Sequence, residues 1–406
     1  MHIINITPTQ YHNYANLHKT KSFGQTLEYS NLAKNKLFLG LVDDFNNIYA
    51  AALLIIKNIS PSIKEAYAKD GFIIDYKNFD LVKTFSLELK KYLKKIKITY
   101  LIINPKFTLR SYNKTNNLLE DNSNILNNLK NIGYIDDEYT DDFSKYDVVI
   151  ENNSAKKIYN NFNRNAKRKI KDSLNMGITL YKGNNNDIET FYNIIKKKTP
   201  KKLSHYYNLM NTYNTKNNKI DIFFTILEPK LFLSKIKTKY EKEVQKNEKI
   251  HKYISKNQGK IDEKTLNKKI NSDIILEKYK KLLNKAIYFC QTNKENITIG
   301  TCMTITNDKE VCFLIDGYNE EYRDIYSNHL LKWAIIKKYL KNNYKKFNLG
   351  EIHKDYKDKK SKYYGQYQYK ISFGGKIIEY TPNLILILNK PKYLIYKTFY
   401  KRKKKH

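Results

Sequence analysis

Residues 37–56, with the sequence LFLGLVDDFNNIYAAALLII, carry the clearest structural signal in the chain. Two apolar runs, residues 37–42 and 48–56, enclose the polar, turn-forming stretch DDFNN. Apolar runs of this length, bounded by Asp and Asn, are typical of two antiparallel strands joined by a short loop. The stretch therefore predicts a β-hairpin near the N-terminus.

The residues after this hairpin predict a helix and a third strand. Apolar positions in residues 78–95 mix helical spacing with extra apolar residues, and we predict a helix there. Residues 99–103 form a short β-rich run that ends at Asn104-Pro105. The order strand, strand, helix, strand predicts an α/β or α+β domain with a mixed sheet.

The same kind of order recurs later in the chain. The predicted elements are a basic helix at residues 163–175 with Gly177 as its C-cap, a strand at 178–181, a helix at 187–198, a strand at 220–227, a hairpin at 297–305 and 310–315 around Asn307-Asp308, a helix at 324–340 and a strand at 347–349. The recurrence predicts a duplication at the level of the fold, although the letters themselves show no repeat.

Residues 230–289 interrupt this second unit with a different pattern. Apolar residues recur mostly every three or four positions on both sides of Gln258-Gly259, which predicts two long antiparallel helices joined at the glycine. After the glycine, the positions are Leu266, Ile270, Ile274, Tyr279, Leu282 and Ala286. The Lys- and Glu-rich faces fit either a solvated structural arm or an arm that contacts RNA.

Composition sets the broad class of the protein. A chain of 406 residues allows two or three domains, and 41% hydrophobic residues are enough to fill their cores. The 75 Lys and Arg against 40 Asp and Glu give a net charge of +35, which predicts attraction to a polyanion. Because Lys, Asn, Ile and Tyr are abundant throughout, an AT-rich genome would explain much of this charge equally well.

Cysteine usage and hydropathy bear on the compartment. Cys290, Cys302 and Cys312 are odd in number and lack metal-ligand spacing, which favours a reducing cytoplasm. The N-terminus lacks the pattern of a signal peptide, and the longest apolar run, residues 49–56, is far shorter than the ~20 residues that cross a bilayer. The basic run at residues 401–406 fits a solvated end or a contact with anionic lipid or RNA.

Five segments, taken in order, resemble the motifs of a known family. They are FGQTLEY at 23–29, like a Gln-x-x-x-aromatic opening; YAKDGFIIDY at 67–76, like Tyr-Ala-x-x-Gly-Pro-x-x-Asp-Tyr; the basic helix at 163–177 that ends in Gly; FNLG at 347–350; and GQYQYKISFGG at 365–375, like Gly-x-x-x-Phe-Lys-x-x-Phe-Gly-Gly. Over nearly its whole length the chain thus resembles the Fem aminoacyltransferases, also called the FemABX or peptidoglycan bridge family.

This resemblance implies an α+β fold of two GNAT-like (acyl-CoA N-acyltransferase-type) subdomains with an inserted antiparallel helical coiled-coil hairpin. We expect the first subdomain at residues 1–150, with residues 381–406 returning to it. The second is expected at 151–228 and 293–380, and the hairpin at 229–292.

The resemblance also implies the reaction, a tRNA-dependent aminoacyl transfer to the stem peptide of a peptidoglycan precursor. The precursor is either lipid II or UDP-MurNAc-pentapeptide, and aminoacyl-tRNA is the co-substrate. A primary amine of the stem peptide attacks the aminoacyl ester and forms an amide, as an interpeptide bridge or branch. Because the ester is already activated, positioning and stabilisation of the oxyanion are expected to carry most of the catalysis.

The family motifs imply two catalytic residues. Lys370 matches the signature lysine, which is expected to hold the tRNA 3′-end phosphate or to stabilise developing negative charge. Its alternative is a surface lysine beside a turn at Gly374-Gly375. Tyr369 stands where the family usually has Phe, and its ring is expected to stack on the terminal adenine.

Three further residues are expected to bind the precursor. Lys202 and Tyr206 resemble an Arg and Tyr pair that grips the diphosphate, and their spacing puts them on one helical face. Lys lacks the bidentate fork of Arg. Lys34 lies near a position where the family offers a Lys to the same ligand.

The densest basic cluster is expected to bind tRNA phosphates, although each member alone fits a solvated helix residue. Its members are Arg164, Lys167, Arg168, Lys169 and Lys171. Asn104 stands where the family often has Asp, and an amide cannot act as a general base. Asp316, at the end of a predicted strand, is either a replacement for that acid or a turn residue.

Two other functions stay open. An acetyl-CoA-dependent N-acyltransferase normally carries an Arg/Gln-x-x-Gly-x-Gly/Ala loop, which the sequence lacks. A non-catalytic RNA- or membrane-binding protein accounts for the charge but not for the motif around Lys370. With no GxxxxGK[ST], HExxH or zinc-ribbon pattern, we expect no metal and no tightly bound cofactor. We expect a cytoplasmic protein, peripheral at the inner face of the membrane, alone or in homo- or hetero-oligomers with paralogues.

Overall fold

The structure is a computed structural model that describes residues 1–18, 21–137, 145–152, 154–215, 218–257, 261–292, 295–307 and 310–399. The predicted helix connection at Gln258-Gly259, Asp308 of a predicted turn and the basic run at residues 401–406 lie outside the described residues.

The strands account for the extended segments predicted from the sequence and add several more. In chain order they are β1 (His2–Asn5), β2 (Lys36–Val42), β3 (Ile48–Ser60), β4 (Ile63–Ala68), β5 (Tyr100–Ile103), β6 (Thr108–Tyr112), β7 (Leu118–Asp121), β8 (Tyr134–Asp136), β9 (Tyr146–Glu151), β10 (Thr179–Lys182), β11 (Asn218–Leu227), β12 (Ile297–Asn307), β13 (Glu310–Tyr318), β14 (Lys346–Ile352), β15 (Lys376–Tyr380) and β16 (Leu384–Ile387). Residues 37–56 form the hairpin of β2 and β3, as predicted.

The helices lie between these strands. They are α1 (Pro8–Leu17), α2 (Leu27–Asn31), α3 (Phe79–Lys95), α4 (Ser123–Asn131), α5 (Ala155–Asn161), α6 (Arg164–Asn175), α7 (Ile188–Ile195), α8 (Leu203–Thr212), α9 (Pro229–Lys256), α10 (Glu263–Thr292), α11 (Ser327–Lys341), α12 (Tyr364–Ile371) and α13 (Lys390–Phe399). Asn78 caps α3 and Asn163 caps α6 through side-chain oxygens that accept backbone N–H bonds, as Asn does at helix starts.

One arrangement of five strands occurs twice. Strands β1 to β5 are neighbours in one sheet, and β10 to β14 follow the same order in the other. In each set the last two strands, β4–β5 or β13–β14, are parallel, and a single crossover helix, α3 or α11, connects them. The fold is therefore α+β with the duplication that the sequence predicted.

The second parallel pair separates after a short contact. Strands β13 and β14 pair only from Glu310↔Lys346 to Cys312↔Asn348, although both strands continue beyond these residues. A bulge in the β12–β13 ladder between Met303 and Thr304 falls at the same level and bends β13 locally. The unpaired ends leave space between the two strands.

Strands are exchanged between the two halves of the chain. The C-terminal β16 lies between β5 and β8 in the first sheet, whereas β6, β7 and β9 belong to the second sheet. Pairing therefore crosses residue 150 in both directions, and the subdomain bounds predicted from sequence stay a prediction.

The helical hairpin of α9 and α10 is inserted between β11 and β12. Phe232, Ile236, Leu282 and Ala286 bury its base in the core of the second unit. Farther out the helices meet through polar groups, since the enclosed Ser272 hydroxyl donates to Glu243 Oε1 at 2.7 Å and accepts from Asn247 Nδ2 at 3.2 Å. A polar pair of this kind fixes the register of two helices.

Some of the apolar residues that predicted α10 are exposed to solvent and are not buried between α9 and α10. Leu266, Ile270 and Ile274 are 46%, 55% and 64% exposed. Their spacing follows the helical period, but it does not say which face meets the partner helix. Within the described residues, no helix is both long and apolar enough to cross a bilayer.

Candidate active site

A cleft of about 250 Å³ opens where β13 and β14 separate. It brings together residues that are far apart in sequence. They are Phe23, Lys106, Asp147, Cys312, Phe313, Leu314, Asn348, Gly350, Glu351, Gln366 and Lys370. Both halves of the chain therefore build the cleft, since Phe23 and Lys106 precede the second unit.

Lys370 is the predicted site residue that lies in this cleft. Helix α12 carries it to the gap between the strands, where it is only 9% exposed and its Nζ donates to the Glu351 carbonyl oxygen at 2.7 Å. Burial, followed by the positive charge of Lys332, lowers the pKa of Lys370 to about 8. The surface-lysine alternative is wrong, because the side chain is enclosed in the cleft.

Gly350 makes room for the Lys370 ammonium. Its φ is +88°, and a Cβ at this position would lie 3.1 Å from both Lys370 Nζ and the Phe313 carbonyl oxygen. A side chain here is strained by the backbone and also presses on the ammonium.

We therefore predict that Gly350→Ala lowers the free energy of unfolding by about 1–2 kcal/mol, the cost of a left-handed conformation with a Cβ. Chemical denaturation measures this loss. Gly365→Ala is the matched control on α12, because a Cβ there meets nothing within 4 Å. That control should be neutral or stabilising by up to about 1 kcal/mol. If Gly350→Ala and Gly365→Ala had the same free energy of unfolding, the close contact at Gly350 would be contradicted.

Tyr369 lies beside Lys370 in an aromatic cluster. Its hydroxyl donates to the Asn328 carbonyl oxygen at 3.2 Å, and its ring meets His329 edge-on at 4.8 Å between centroids. The ring is partly buried, and its stacking on adenine stays a prediction. Burial, with the charges of Lys169 and Lys332, lowers the pKa of His329 to about 3, so its imidazole is neutral at pH 7.

A buried ion pair supports this cluster from below. Lys332 of α11 is 2% exposed, and its Nζ lies 2.9 Å from Asp316 Oδ2 and 4.3 Å from the centre of the Phe313 ring. Burial alone would raise the pKa of Asp316, but the adjacent positive charge of Lys332 brings that pKa below its usual value. The turn-residue interpretation of Asp316 is wrong, since Asp316 lies within β13 and is held by a cation.

A clamp fixes Phe23 at the mouth of the cleft. Asp70 Oδ2 accepts hydrogen bonds from the backbone N–H of Gly24, at 3.0 Å, and from the Ser22 hydroxyl. A Cβ on Gly24 would lie 2.3 Å from the Lys69 side chain, so the approach needs glycine. The Asp70 N–H in turn donates to Asn104 Oδ1 at 2.7 Å, which gives Asn104 a structural role at the place where the family often has Asp.

The segment behind Phe23 also joins the two units. The buried Glu28 carboxylate accepts from Thr215 Oγ1 at 2.8 Å and from Asn218 Nδ2 at 3.0 Å. Asn307 Nδ2 donates to the Lys21 carbonyl oxygen at 3.0 Å. These contacts hold the FGQTLEY segment against the second sheet.

The three residues predicted to bind the precursor do not line the cleft. Lys202 is the exposed N-cap residue of α8, and Tyr206 is buried in a core against Phe191, with its hydroxyl donating to Thr199 Oγ1 at 2.8 Å. Lys34 is exposed in the loop before β2. Their roles stay predictions, and Tyr206 already has a structural partner for its hydroxyl.

The predicted tRNA-binding cluster lies on α6. Arg164, Arg168 and Lys171 are exposed on the face opposite the buried Ala166 and Ile170. Lys167 Nζ donates to the Asn160 carbonyl oxygen at 2.8 Å, and Lys169 Nζ lies 5.1 Å from the centre of the Tyr326 ring. Partial burial, followed by the charge of Arg168, lowers the pKa of Lys169, whose charge also acts on His329.

Five residues of the cleft and its support were not predicted from the sequence: Lys106, Asp147, His329, Lys332 and Glu351. One of them had a usable signal, since Lys332 stands in the apolar run Leu330-Leu331-Lys332-Trp333, where an unpaired charge would be costly. In the part of the chain that the structure describes, no group of three or more His, Cys, Asp or Glu side chains is arranged to hold a metal ion.

Comparisons with known proteins agree over almost the whole chain. The model of the FemAB family matches residues 6–401. Aminoacyltransferase FemA of Staphylococcus epidermidis is 23% identical over 390 residues, which cover 90% of this chain and 90% of that protein. Aminoacyltransferase FemB of the same species is 23% identical over 392 residues, with coverage of 89% and 88%.

Solved structures show the same fold at lower identity. The crystal structure of FemX superposes with a TM-score of 0.72 at 17% identity and covers 97% of this chain and 99% of its own. A tandem GNAT protein from the clavulanic acid biosynthesis pathway gives a TM-score of 0.50 at 6% identity, with coverage of 95% and 98%. The tandem GNAT-like architecture predicted from the sequence is thereby confirmed.

Proposed function

The chain belongs to the FemAB family and is an aminoacyltransferase, and we propose that it transfers an amino acid from aminoacyl-tRNA to the stem peptide of a peptidoglycan precursor. The acceptor is a primary amine of that peptide, on lipid II or on the UDP-linked pentapeptide. The product carries a new amide bond as an interpeptide bridge or branch.

The position of Lys370 carries this proposal. Its ammonium is buried in the gap between two parallel strands, where it donates a hydrogen bond to the Glu351 carbonyl oxygen. A cation in such a low-dielectric cleft acts strongly on negative charge that develops nearby. In aminoacyl transfer that charge develops on the ester carbonyl oxygen and then on the 3′-oxygen of the tRNA, so a lysine at this point favours both steps.

The surroundings of the cleft fit a large anionic co-substrate. The exposed basic side chains of α6 share that helix with Lys169. Lys169 contacts the Tyr326 ring, and its charge contributes to the low pKa of His329, which packs against Tyr369. Phosphates of the tRNA acceptor end would bind such a surface through charge, without sequence readout. The net charge of +35 supports the same partner and also attraction to the anionic inner face of the membrane.

The direct test supplies the purified protein with total tRNA charged with labelled amino acids, together with lipid-linked or UDP-linked precursor. We expect the precursor to gain the mass of one amino acid, and we expect RNase to abolish the gain. Mass spectrometry of the product names the amino acid. No gain with either precursor, with acylation supported by acetyl-CoA instead, would reject the proposal in favour of an N-acetyltransferase.

A further inference from the structure

Two carboxylate residues lie next to each other in the wall of the cleft. Asp147 of β9 and Glu351 of β14 are directly opposed in the antiparallel ladder, and both line the cleft with Lys370. Like charges directly opposite each other destabilise a pair of strands. The stability of the sheet therefore does not explain why two acids occupy this position.

The two carboxylates differ in their partners. Asp147 Oδ2 accepts a hydrogen bond from Asn348 Nδ2 at 2.6 Å and lies 3.8 Å from Lys106 Nζ, and the residue is 3% exposed. Glu351 is exposed at the mouth of the cleft. Among the described residues its carboxylate has neither a hydrogen bond nor an ion pair within 4 Å. Asp147 is thus fixed, and Glu351 is available to a ligand.

The charged groups that face Glu351 come from four parts of the fold. They are Asp147 on β9, Lys106 after β5, Lys69 after β4 and Lys370 on α12. Although Glu351 is exposed by area, the cleft crowds its carboxyl, and this desolvation with the charge of Asp147 raises its pKa against the effect of the lysines. A carboxylate of raised pKa accepts a proton more readily than Asp316, which Lys332 holds ionised.

We propose that Glu351 accepts the proton of the attacking amine and that Asp147 is the positioning residue that attracts the acceptor's ammonium; this rests on the proposed function. The ammonium gives one proton to the Glu351 carboxylate, and the neutral nitrogen attacks the ester carbonyl carbon. The C–N bond forms, the bond from that carbon to the 3′-oxygen breaks, and a second amine proton ends on the 3′-oxygen. Glu351 then releases its proton to water.

A pH profile of the Glu351→Gln variant tests this assignment. A bound ammonium beside ionised Glu351 has the same number of protons as a neutral amine beside protonated Glu351. The wild-type kcat/KM is therefore expected to change little from the pKa of Glu351 up to about pH 7, below the fall expected when Lys370, with a pKa of about 8, loses its charge. In the variant, water must remove the proton, so kcat/KM should rise about tenfold per pH unit. At pH 7 the variant should be about 100-fold slower than wild type.

Two further variants separate chemistry from folding. Glu351→Asp keeps a carboxylate and should keep the flat profile, even if transfer is slower. Glu189→Gln removes the same charge from the exposed face of α7 and should behave as wild type. A Glu351→Gln variant with wild-type rates, or with an equal loss at every pH, would overturn the assignment. No transfer by the wild-type protein itself would overturn the proposed function as well.

Discussion

Replacing Lys370 by methionine should lower kcat/KM for aminoacyl transfer about 100- to 1,000-fold, because it removes the buried cation from the gap between β13 and β14. Methionine keeps the length and apolar stem of the side chain, so the cleft keeps its shape. Steady-state kinetics with charged tRNA measures the loss. The Lys359→Met variant removes an exposed lysine near the start of α12 and should retain full activity.

The pH dependence distinguishes a charge effect from a packing effect. Burial lowers the pKa of Lys370 to about 8, so its ammonium is charged below that pH and neutral above it. Wild-type activity should therefore fall as pH rises through about 8. The Lys370→Arg variant, whose guanidinium stays protonated, should lack this fall even if it is slower. An alkaline limb that is the same in wild type and Lys370→Arg would contradict a role for the lysine charge.

The stability of the Lys370→Met protein provides a second check. Because the folded pKa lies below the unfolded value, the unfolded chain binds more protons, and wild-type stability rises with pH between about 8 and 10.4. Below pH 8 the buried charge opposes folding. The free energy of unfolding of the methionine variant at pH 7 should therefore be at least that of wild type. A loss of activity in this variant then reports a defect in the transfer reaction and not in folding.

Asp316→Asn should lower the free energy of unfolding by about 3–5 kcal/mol, because it leaves the enclosed Lys332 ammonium without its counter-charge. Lys332 is 2% exposed and is otherwise surrounded by the rings of Phe313 and Tyr369. Chemical denaturation at pH 7 measures this loss. The exposed pair of Lys130 and Asp136 is the matched control, and Asp136→Asn should cost no more than about 1 kcal/mol.

The double variant Asp316→Asn with Lys332→Met should recover most of the lost stability, since no uncompensated charge stays buried. The pair also predicts a pH effect. The pKa of Asp316 is lowered in the folded state, so its contribution is complete above the unfolded pKa of about 3.9 and is lost as pH falls through the folded pKa. A double variant as unstable as Asp316→Asn alone would show that packing, and not charge, holds α11 against β13.

Local sequence patterns gave the most strongly patterned elements and their order, but not the short strands β1 and β6 to β9 or the helices α1, α2, α4 and α5. The polar gap at residues 43–47 between two apolar runs gave the β2–β3 hairpin, and the spacing in residues 78–95 gave α3. Helical periodicity predicted the long hairpin, but it did not predict that Leu266, Ile270 and Ile274 are exposed. Periodicity reports which residues share a face, whereas the partner of that face depends on groups distant in sequence, here Asn247 and Glu243.

By itself the sequence determined the α+β class, the duplication and the inserted hairpin, and it predicted Lys370 as a catalytic residue, because these rest on local spacing and on motifs that can be matched letter by letter. Only the tertiary structure decided that Lys370 is buried, that Lys332 pairs with Asp316, and that Asp147 faces Glu351. The two pairs join residues 16 and 204 positions apart: packing of α11 on β13 brings Lys332 to Asp316, and pairing of β9 with β14 brings Asp147 opposite Glu351. Burial and charge pairing are properties of that three-dimensional neighbourhood, so no local pattern of residues encodes them.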